Sequence, residues 1–205
     1  MRYLKKTTQQ EQPQQQAKPN RARQLFRDCR EIIAILILFM IFYMLCFRIV
    51  IVVGGSMFDT LMDGDRLVLL SNVFYREPAY GDIIVASKDS FRGGECIVKR
   101  VIATEGQTVD IDFSTGAVYV DGQLLDEPYL YSQTMLAEGV KFPLTVEEGC
   151  LFVMGDNRMD SCDSRSPQIG LIDRREVLGK AVFLLFPGTH GGTESLDLSR
   201  IGGLG

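Results

Sequence analysis

The sequence of 205 residues contains no tryptophan, a single histidine (His190) and only five cysteines. With one histidine the chain cannot build a histidine-rich zinc centre, and a Ser–His–Asp triad would have to use His190. No two cysteines form a Cys-x-x-Cys pair, so we expect neither a thiolate zinc site nor a disulfide framework. The cysteines are expected to be small buried hydrophobic residues, while a single disulfide among Cys96, Cys150 and Cys162 stays open.

Charge is distributed unevenly along the chain. Residues 1–30 carry eight basic and two acidic side chains, a net charge of +6, whereas the remainder carries 14 basic and 24 acidic side chains, a net charge of −10. Because the main body is acidic, nucleic acid is not expected as a partner.

The Gln-rich stretch 7–20 has little apolar surface to bury, and we predict that it is disordered.

The longest apolar run consists of the sixteen uncharged residues 32–47. As a helix it would be about 24 Å long, slightly short of a hydrocarbon core of about 30 Å, unless the span continues past Arg48. A buried core helix is not expected, because the run is apolar on every face and no second long helix could cover it. A cleaved signal peptide would have a shorter run and an Ala-x-Ala-like site. We therefore predict an uncleaved transmembrane signal anchor over residues 31–48, in contact with the lipid bilayer.

The charges that flank this run predict its orientation. Positively charged residues are retained on the cytoplasmic side of a membrane, and the net charge of +6 precedes the run. We expect residues 1–30 to form a cytoplasmic, basic and Gln-rich disordered tail of a single-pass protein in the cell membrane. Residues 49–187 would then form an extracytoplasmic domain, and the Gly-rich residues 188–205 a flexible tail.

Short apolar or alternating segments between turn residues fill the chain after the anchor, as is typical of β-strands. Residues 108–113 and 117–120 flank a Ser-Thr-Gly turn and predict a hairpin, and Asp121-Gly122 marks the turn to a further short strand. Because no long helical periodicity follows the anchor, the predicted fold is mainly β, with one N-terminal transmembrane helix before an all-β domain of antiparallel sheet. Other strands are expected at 49–53, 66–70, 82–86, 96–102, 151–154 and 180–186.

Three polar segments in this domain could carry chemistry. The glycines of the segment 54–57 (Gly-Gly-Ser-Met) allow a sharp turn that exposes the Ser56 hydroxyl. Lys99 lies within the predicted strand 96–102, with apolar neighbours on its face. The segment 155–165 is too polar for a core strand. Taken alone, each segment also has an ordinary interpretation. The segment 54–57 is typical of a turn, Lys99 of an edge-strand lysine and the segment 155–165 of a solvated loop.

Together these segments resemble the sequence boxes of the type I signal peptidases of bacteria, membrane-anchored serine proteases that remove signal peptides from exported proteins. Residues 56–61 stand in place of the nucleophile box, Ser-Met-x-Pro-Thr-Leu, and residues 99–101 match the base box, Lys-Arg-Val. Residues 155–165 match the third and most specific box, Gly-Asp-Asn-Arg followed by Ser-x-Asp-Ser-Arg. The resemblance spans roughly residues 48–187, and a single anchor is typical of the Gram-positive members.

The sequence departs from the family pattern at three places. Asp59 replaces the usual proline after the nucleophile, and residues 103–106 replace the usual Gly-x-Pro-Gly after the base box. Gly54 stands where some members carry a hydroxyl residue that helps to bind the oxyanion. That help would here have to come from backbone N–H groups.

The resemblance implies a serine endopeptidase in which Ser56 is the nucleophile and Lys99 is the general base. A lysine can accept a proton only when it is neutral, and burial among apolar residues lowers the pKa of a lysine. By the same resemblance, Ser161 would hydrogen-bond the Lys99 amine. Three further residues of the third box would support the site structurally: Asp156, Asp163 and Arg165.

The resemblance also implies an oxyanion and substrate site around the serine, with the Ser56 N–H facing the developing negative charge. The signal peptide of a secreted preprotein would lie extended between neighbouring strands, with alanine-sized side chains in shallow pockets. No metal ion and no cofactor would be needed. The residues assigned to this part of the site are Gly54, Gly55 and Met57.

Two other interpretations stay open. The first is a self-cleaving, repressor-like Ser–Lys protease with a related β core, although the anchor, the third box and the lack of a DNA-binding module argue against it. The second is a catalytically inactive, membrane-anchored β binding module, which the departures at Asp59 and Gly54 keep open. Cleavage of a separate preprotein would distinguish the proposed peptidase from both.

Overall fold

The computed structural model describes residues 21–88, 91, 93–188 and 196–204 of the chain. The Gln-rich stretch that is predicted to be disordered and the single histidine, His190, lie outside these residues. The chain divides into two compact units, Met1–Phe42 and Tyr43–Gly205. Every predicted catalytic residue lies in the second unit.

The first unit contains most of helix α1, Arg21–Cys46. This helix is long and apolar enough to cross a membrane by length and composition, and large apolar side chains such as Leu38 are exposed along it. It ends at Cys46, two residues before the end of the predicted span, and strand β1 begins at Phe47, so the further turn past Arg48 that the sequence allowed is not formed. The β-branched residues after Arg48 pair with a neighbouring strand instead of continuing the helix.

In the described part of the chain, twelve strands of the second unit form two antiparallel sheets. The larger sheet has the order β1-β2-β11-β3-β4-β9-β10, with β12 paired to β11, and the smaller sheet has the order β7-β6-β5-β8. Short 3₁₀ helices cover Arg158–Asp160, Arg174–Glu176 and Leu198–Arg200. The strands are β1 Phe47–Ile51, β2 Arg66–Ser71, β3 Ile83–Ser87, β4 Cys96–Thr104, β5 Thr108–Asp112, β6 Ala117–Val120, β7 Gln123–Leu124, β8 Leu144–Thr145, β9 Cys150–Met154, β10 Ile172–Asp173, β11 Val177–Phe186 and β12 Gly202–Gly203.

Buried apolar side chains among the described residues form three clusters. One of them contains Val52, Met57 and Leu61, and so supports the chain that follows β1. Strand β4 lies between β3 and β9 within the larger sheet, and most of its residues are buried. This position explains why Lys99, on β4, is buried despite its potential charge.

The prediction of a mainly β chain with one N-terminal apolar helix is confirmed. In the predicted hairpin, β5 pairs with β6, with Asp112 opposite Ala117. Asp121 and Gly122 have φ values of 52° and 76°, which suit the tight turn into β7. All five cysteines lie within the described residues and are free, so the disulfide that the sequence left open is not formed. Cys46 is buried as expected, whereas Cys29 and Cys96 are exposed, so the expectation of burial is wrong for these two. No group of three or more His, Cys, Asp or Glu side chains in the described part of the chain could hold a metal ion.

The end of the chain differs from the prediction of a flexible tail over residues 188–205. Within the described residues 196–204, Leu198–Arg200 forms a 3₁₀ helix and Gly202–Gly203 pairs with β11. The Gly-rich composition pointed to a loose segment, but Arg200 and Leu204 supply specific contacts with the rest of the second unit.

Candidate active site

The connection between β1 and β2, residues 53–64, carries Ser56 and is named here the nucleophile loop. It is closed at its base by a hydrogen bond of 2.8 Å from the Val52 N–H to the Asp65 carbonyl. Near its start Gly54 has a φ of 90°, a conformation that favours glycine. The chain therefore turns sharply before Ser56, which remains partly exposed.

The structure brings the side chains of Ser56 and Lys99 into contact. Lys99 Nζ lies 2.7 Å from Ser56 Oγ and donates a second hydrogen bond, of 3.0 Å, to the Val98 carbonyl. Lys99 is only 5% exposed, and burial lowers its pKa, whereas the carboxylates of Asp163 and Asp156 oppose this shift. In its neutral form, a lysine at this position can take the proton of the Ser56 hydroxyl.

The polar loop of residues 155–165 is organised around the fully buried carboxylate of Asp163. The Arg165 side chain donates to it twice, from Nε to Oδ1 at 2.8 Å and from Nη2 to Oδ2 at 2.9 Å. The Gly155 N–H and the Ser161 hydroxyl also donate to Oδ2, at 3.0 and 2.8 Å. These bonds satisfy a buried charge that would otherwise be costly, and they fix the loop in one conformation.

The bonding of Ser161 corrects the expected arrangement. Its hydroxyl donates to Asp163, whereas the hydrogen bonds of Lys99 Nζ go to Ser56 and Val98. The expected bond between Ser161 and the Lys99 amine is therefore not formed. A buried carboxylate is a stronger acceptor than a hydroxyl or an amine, which explains why the Ser161 proton points to Asp163.

Gly155 allows the polar loop to approach the nucleophile loop closely. A Cβ atom on this residue would lie 2.3 Å from Ser161 Oγ and 2.4 Å from the Ser56 carbonyl oxygen. That carbonyl accepts the Asn157 N–H at 3.0 Å, and Asn157 Nδ2 donates to the Gly55 carbonyl at 3.2 Å. The sequence motif contains Gly155 and Asn157 but gave them no role. Their role is visible only in the structure, because it depends on contact with a segment about 100 residues away.

Asp156 links the polar loop, the nucleophile loop and β4. It is fully buried, and Arg100 of β4 donates to its two oxygens from Nε at 2.8 Å and from Nη2 at 2.7 Å. The hydroxyl of Thr60, in the nucleophile loop, donates to Oδ2 at 2.6 Å. Asp156 therefore ties the segment that carries Ser56 to the strand that carries Lys99. The sequence motifs contain Thr60 and Arg100 but gave them no role.

Of the residues expected at the oxyanion and substrate site, the two glycines make backbone hydrogen bonds within the protein. The Gly54 N–H donates to Asp63 Oδ1 at 2.8 Å. The side chain of Met57 is buried in the hydrophobic cluster that supports the nucleophile loop, which corrects its assignment to the substrate site. Among the described residues, the Ser56 N–H donates no hydrogen bond. Gly55 contributes its carbonyl to the bond with Asn157.

Glu138 is a titratable residue whose charge acts on Lys99 and that sequence reasoning missed. Its Oε1 lies 3.1 Å from Arg165 Nη2. Burial and the charge of Asp163 raise the pKa of Glu138 to about 7, while Arg165 and Lys99 oppose this shift. With this pKa, the charge of Glu138 can change near neutral pH, and the charged form influences Lys99. No motif marks Glu138, because it lies outside the segments that resemble the family boxes.

Comparison with known proteins connects this geometry to a family. The family model described as signal peptidase, peptidase S26, matches residues 25–186. Signal peptidase I of Bacillus licheniformis is 38% identical over 176 residues, which cover 82% of this chain and 92% of that protein. Signal peptidase I T of Bacillus subtilis (strain 168) is 37% identical over 164 residues, which cover 76% and 82%. A crystallised signal peptidase I from Enterococcus faecalis V583 is 32% identical and covers 51% of this chain and 97% of its own, with a TM-score of 0.43. The resemblance found in the sequence is confirmed: the chain is a serine peptidase and belongs to the signal peptidase family, peptidase S26.

Proposed function

We propose that this protein is a membrane-bound serine endopeptidase that removes the N-terminal signal peptides of exported preproteins, with Ser56 as nucleophile and Lys99 as general base. The observation that carries this proposal is the 2.7 Å contact between Ser56 Oγ and the buried Lys99 Nζ. The substrate class follows from the relatives, which are named signal peptidase I.

The proposed reaction proceeds through an acyl-enzyme. Neutral Lys99 takes the proton of the Ser56 hydroxyl while Oγ attacks the scissile carbonyl carbon. The carbonyl oxygen becomes an oxyanion, for which the Ser56 N–H is a donor. Collapse of the tetrahedral intermediate breaks the peptide C–N bond, and Lys99 returns the proton to the leaving amine. Water then attacks the acyl-enzyme with Lys99 as base, which releases the signal peptide and restores Ser56.

Two open strand edges support an extended substrate. Among the described residues, β9 pairs with β4 only from Arg100 onward, so residues 96–99 of β4 have no strand partner on that side. Within the described residues, β1 pairs only with β2 and continues directly into the nucleophile loop. A peptide can add to such edges through main-chain hydrogen bonds. A signal peptide bound as a strand along these edges would reach Ser56 and Lys99.

The departures from the family pattern do not disturb the dyad, which favours an active enzyme over an inactive binding module. Asp59 is exposed, and the Gly54 N–H is held by Asp63. The contact between Ser56 and Lys99 uses neither of these positions. A binding module would have no need to keep an amine buried against a hydroxyl, because burial of a potential charge is costly.

We further propose that helix α1 anchors the protein with its N-terminus in the cytoplasm. The charge asymmetry supports this orientation: arginines lie in the first part of α1, and its last turn contains no basic residue. A reporter fused after Gly188 should be active outside the membrane, and protease added to intact spheroplasts should reach the second unit. Reporter activity in the cytoplasm would contradict the orientation.

The direct test of the proposed function is single-turnover cleavage of a synthetic signal peptide by the detergent-solubilised full-length protein. We expect cleavage by the wild type and none by Ser56→Ala, because the attacking hydroxyl is lost. Ser114→Ala, at an exposed serine that follows β5, is the matched control and should cleave normally. Cleavage by Ser56→Ala at the wild-type rate would contradict the assignment, and an inactive wild type would favour the binding module.

A further inference from the structure

The described end of the chain, residues 196–204, returns to the base of the nucleophile loop and is named here the C-terminal segment. Arg200 Nη1 donates to Asp65 Oδ1 at 3.0 Å, and Nη2 donates to Oδ2 at 2.7 Å. Asp65 is fully buried, and the Arg200 side chain is 16% exposed. Such two-pronged pairs between arginine and carboxylate are strong and directional, so Arg200 fixes the Asp65 side chain in one position.

Asp65 in turn holds the backbone of the nucleophile loop. Its Oδ2 accepts the Met62 N–H at 2.8 Å, and its main-chain carbonyl accepts the Val52 N–H that closes the loop. Arg200 Nη2 also reaches the carbonyl oxygen of Thr60 at 3.4 Å. This end of the loop therefore depends on the Asp65 carboxylate. Among the described residues, Arg200 is the cation that pairs with it.

Strand pairing and apolar packing attach the C-terminal segment to the second unit. Gly202–Gly203 pairs with β11 at Phe183 and Leu184, beyond the part of β11 that pairs with β3. The side chain of Leu204 packs against the cluster that contains Met57, the residue after the nucleophile. The segment therefore supports the loop both through a charged pair at its base and through the core beneath it.

We propose that the C-terminal segment holds the nucleophile loop in its reactive position, and that Arg200 is a positioning residue for Ser56. This inference rests on the proposed function. Without Arg200, the Asp65 carboxylate would be a buried charge without a cation, which is strongly unfavourable. Among the described residues, the N–H groups of Met62 and Gly188 would still donate to this carboxylate, but no cation would balance its charge, so we expect the base of the loop to open to water. Ser56 would then move relative to Lys99, which is held separately on β4.

The test compares Arg200→Ala, Arg200→Lys and, as matched control, Arg175→Ala in the full-length detergent-solubilised protein. Arg175 also makes a two-pronged pair with an aspartate, Asp173, but its side chain is 90% exposed. Steady-state cleavage of a synthetic signal peptide gives kcat and KM. Hydrogen exchange followed by mass spectrometry gives the protection of the amides in residues 53–64.

We expect Arg200→Ala to lower kcat by about tenfold or more with KM within about twofold, because a small displacement of the nucleophile affects the transition state more than binding. Exchange in the nucleophile loop should be faster by about tenfold or more, since protection follows local stability. Arg200→Lys should restore part of both values, because it keeps the charge but offers a single donor nitrogen in place of two. Arg175→Ala should match the wild type.

Wild-type kcat together with wild-type exchange in Arg200→Ala would overturn the inference. If Arg200→Ala does not fold, Arg200→Lys decides by the same two measurements, and wild-type values for both would overturn it. A wild-type protein that leaves the peptide uncut would refute the proposed function instead. The exchange comparison would then decide the inference: faster exchange of the loop in the Arg200 variant supports it, and unchanged exchange overturns it.

Discussion

Replacement of Gly155 by alanine should separate the two loops of the site and slow catalysis. The new Cβ atom would lie 2.3 Å from Ser161 Oγ and 2.4 Å from the Ser56 carbonyl oxygen. Non-bonded atoms favour separations of about 3.5 Å, so the neighbours would have to move by roughly 1 Å. Neither neighbour moves easily, because Ser161 is bound to Asp163 and the Ser56 carbonyl is main chain held by Asn157. A displacement of this size at a reacting group lowers the rate by up to about 100-fold, so we expect kcat to fall by roughly 10- to 100-fold.

The assay is steady-state cleavage of a synthetic signal peptide, at a temperature well below the unfolding transition of each variant. Gly179→Ala is the matched control, because its Cβ atom would lie 2.2 Å from the Leu70 carbonyl oxygen in the pairing of β11 with β2. It should lower the unfolding temperature yet leave kcat of the folded enzyme within about twofold of the wild type, because its overlap lies in the pairing of β11 with β2 and touches neither Ser56 nor Ser161. Wild-type kcat in Gly155→Ala would refute the reasoning that this glycine sets the position of Ser56.

Four further predictions concern three residues near Ser56 and Lys99. Glu138→Gln should shift the acid limb of the rate–pH profile to lower pH, because an ionised Glu138 favours the ammonium form of Lys99; an unchanged limb would contradict this. Because the pKa of Glu138 is raised from 4.5 to about 7, wild-type stability in urea should fall relative to Glu138→Gln as the pH rises through this interval. Asp59→Pro should be neutral or stabilise the protein by about 0.4–1 kcal/mol in urea unfolding, because Asp59 is exposed and proline restricts the unfolded chain; a large loss would reveal a needed bond. Ser161→Ala should lower kcat, but less than Ser56→Ala, because Arg165 still holds Asp163; full activity would reduce Ser161 to a loop residue.

Most strands could be predicted from sequence because their patterns are local. The hairpin of β5 and Ala117–Val120 follows from short apolar segments around a turn that contains glycine, and the observed pairing agrees. The pair of Ser56 and Lys99 could be predicted for a different reason. Ser56 and Lys99 are 43 residues apart, and only the resemblance to known boxes joined them before the structure brought them together.

The two ends of the second unit could not be predicted from composition. The apolar run continues through Phe47, so hydropathy alone does not show that α1 ends at Cys46, where pairing with β2 takes over. At the other end, the Gly-rich composition of residues 188–205 indicates a flexible backbone. The pairing of Arg200 with Asp65 spans 135 residues, and no local pattern announces such a contact.

The details of the polar loop depend on three-dimensional competition between partners. The family resemblance implied a bond from Ser161 to the Lys99 amine, but the carboxylate of Asp163 accepts the Ser161 proton instead. The role of Gly155 likewise appears only when two distant segments meet, because the missing Cβ matters only where another atom would overlap it.

The measurement that tests the dyad most directly is the rate–pH profile of signal-peptide cleavage by Lys99→Arg beside the wild type. An arginine keeps the positive charge but cannot give up its proton near neutrality, so Lys99→Arg should be inactive. The wild-type rate should rise with pH along an acid limb that lies below the ordinary lysine pKa of 10.5. Lys141→Arg, at an exposed lysine, and His190→Ala should leave this profile unchanged. Wild-type cleavage by Lys99→Arg, or loss of cleavage in His190→Ala, would contradict the account.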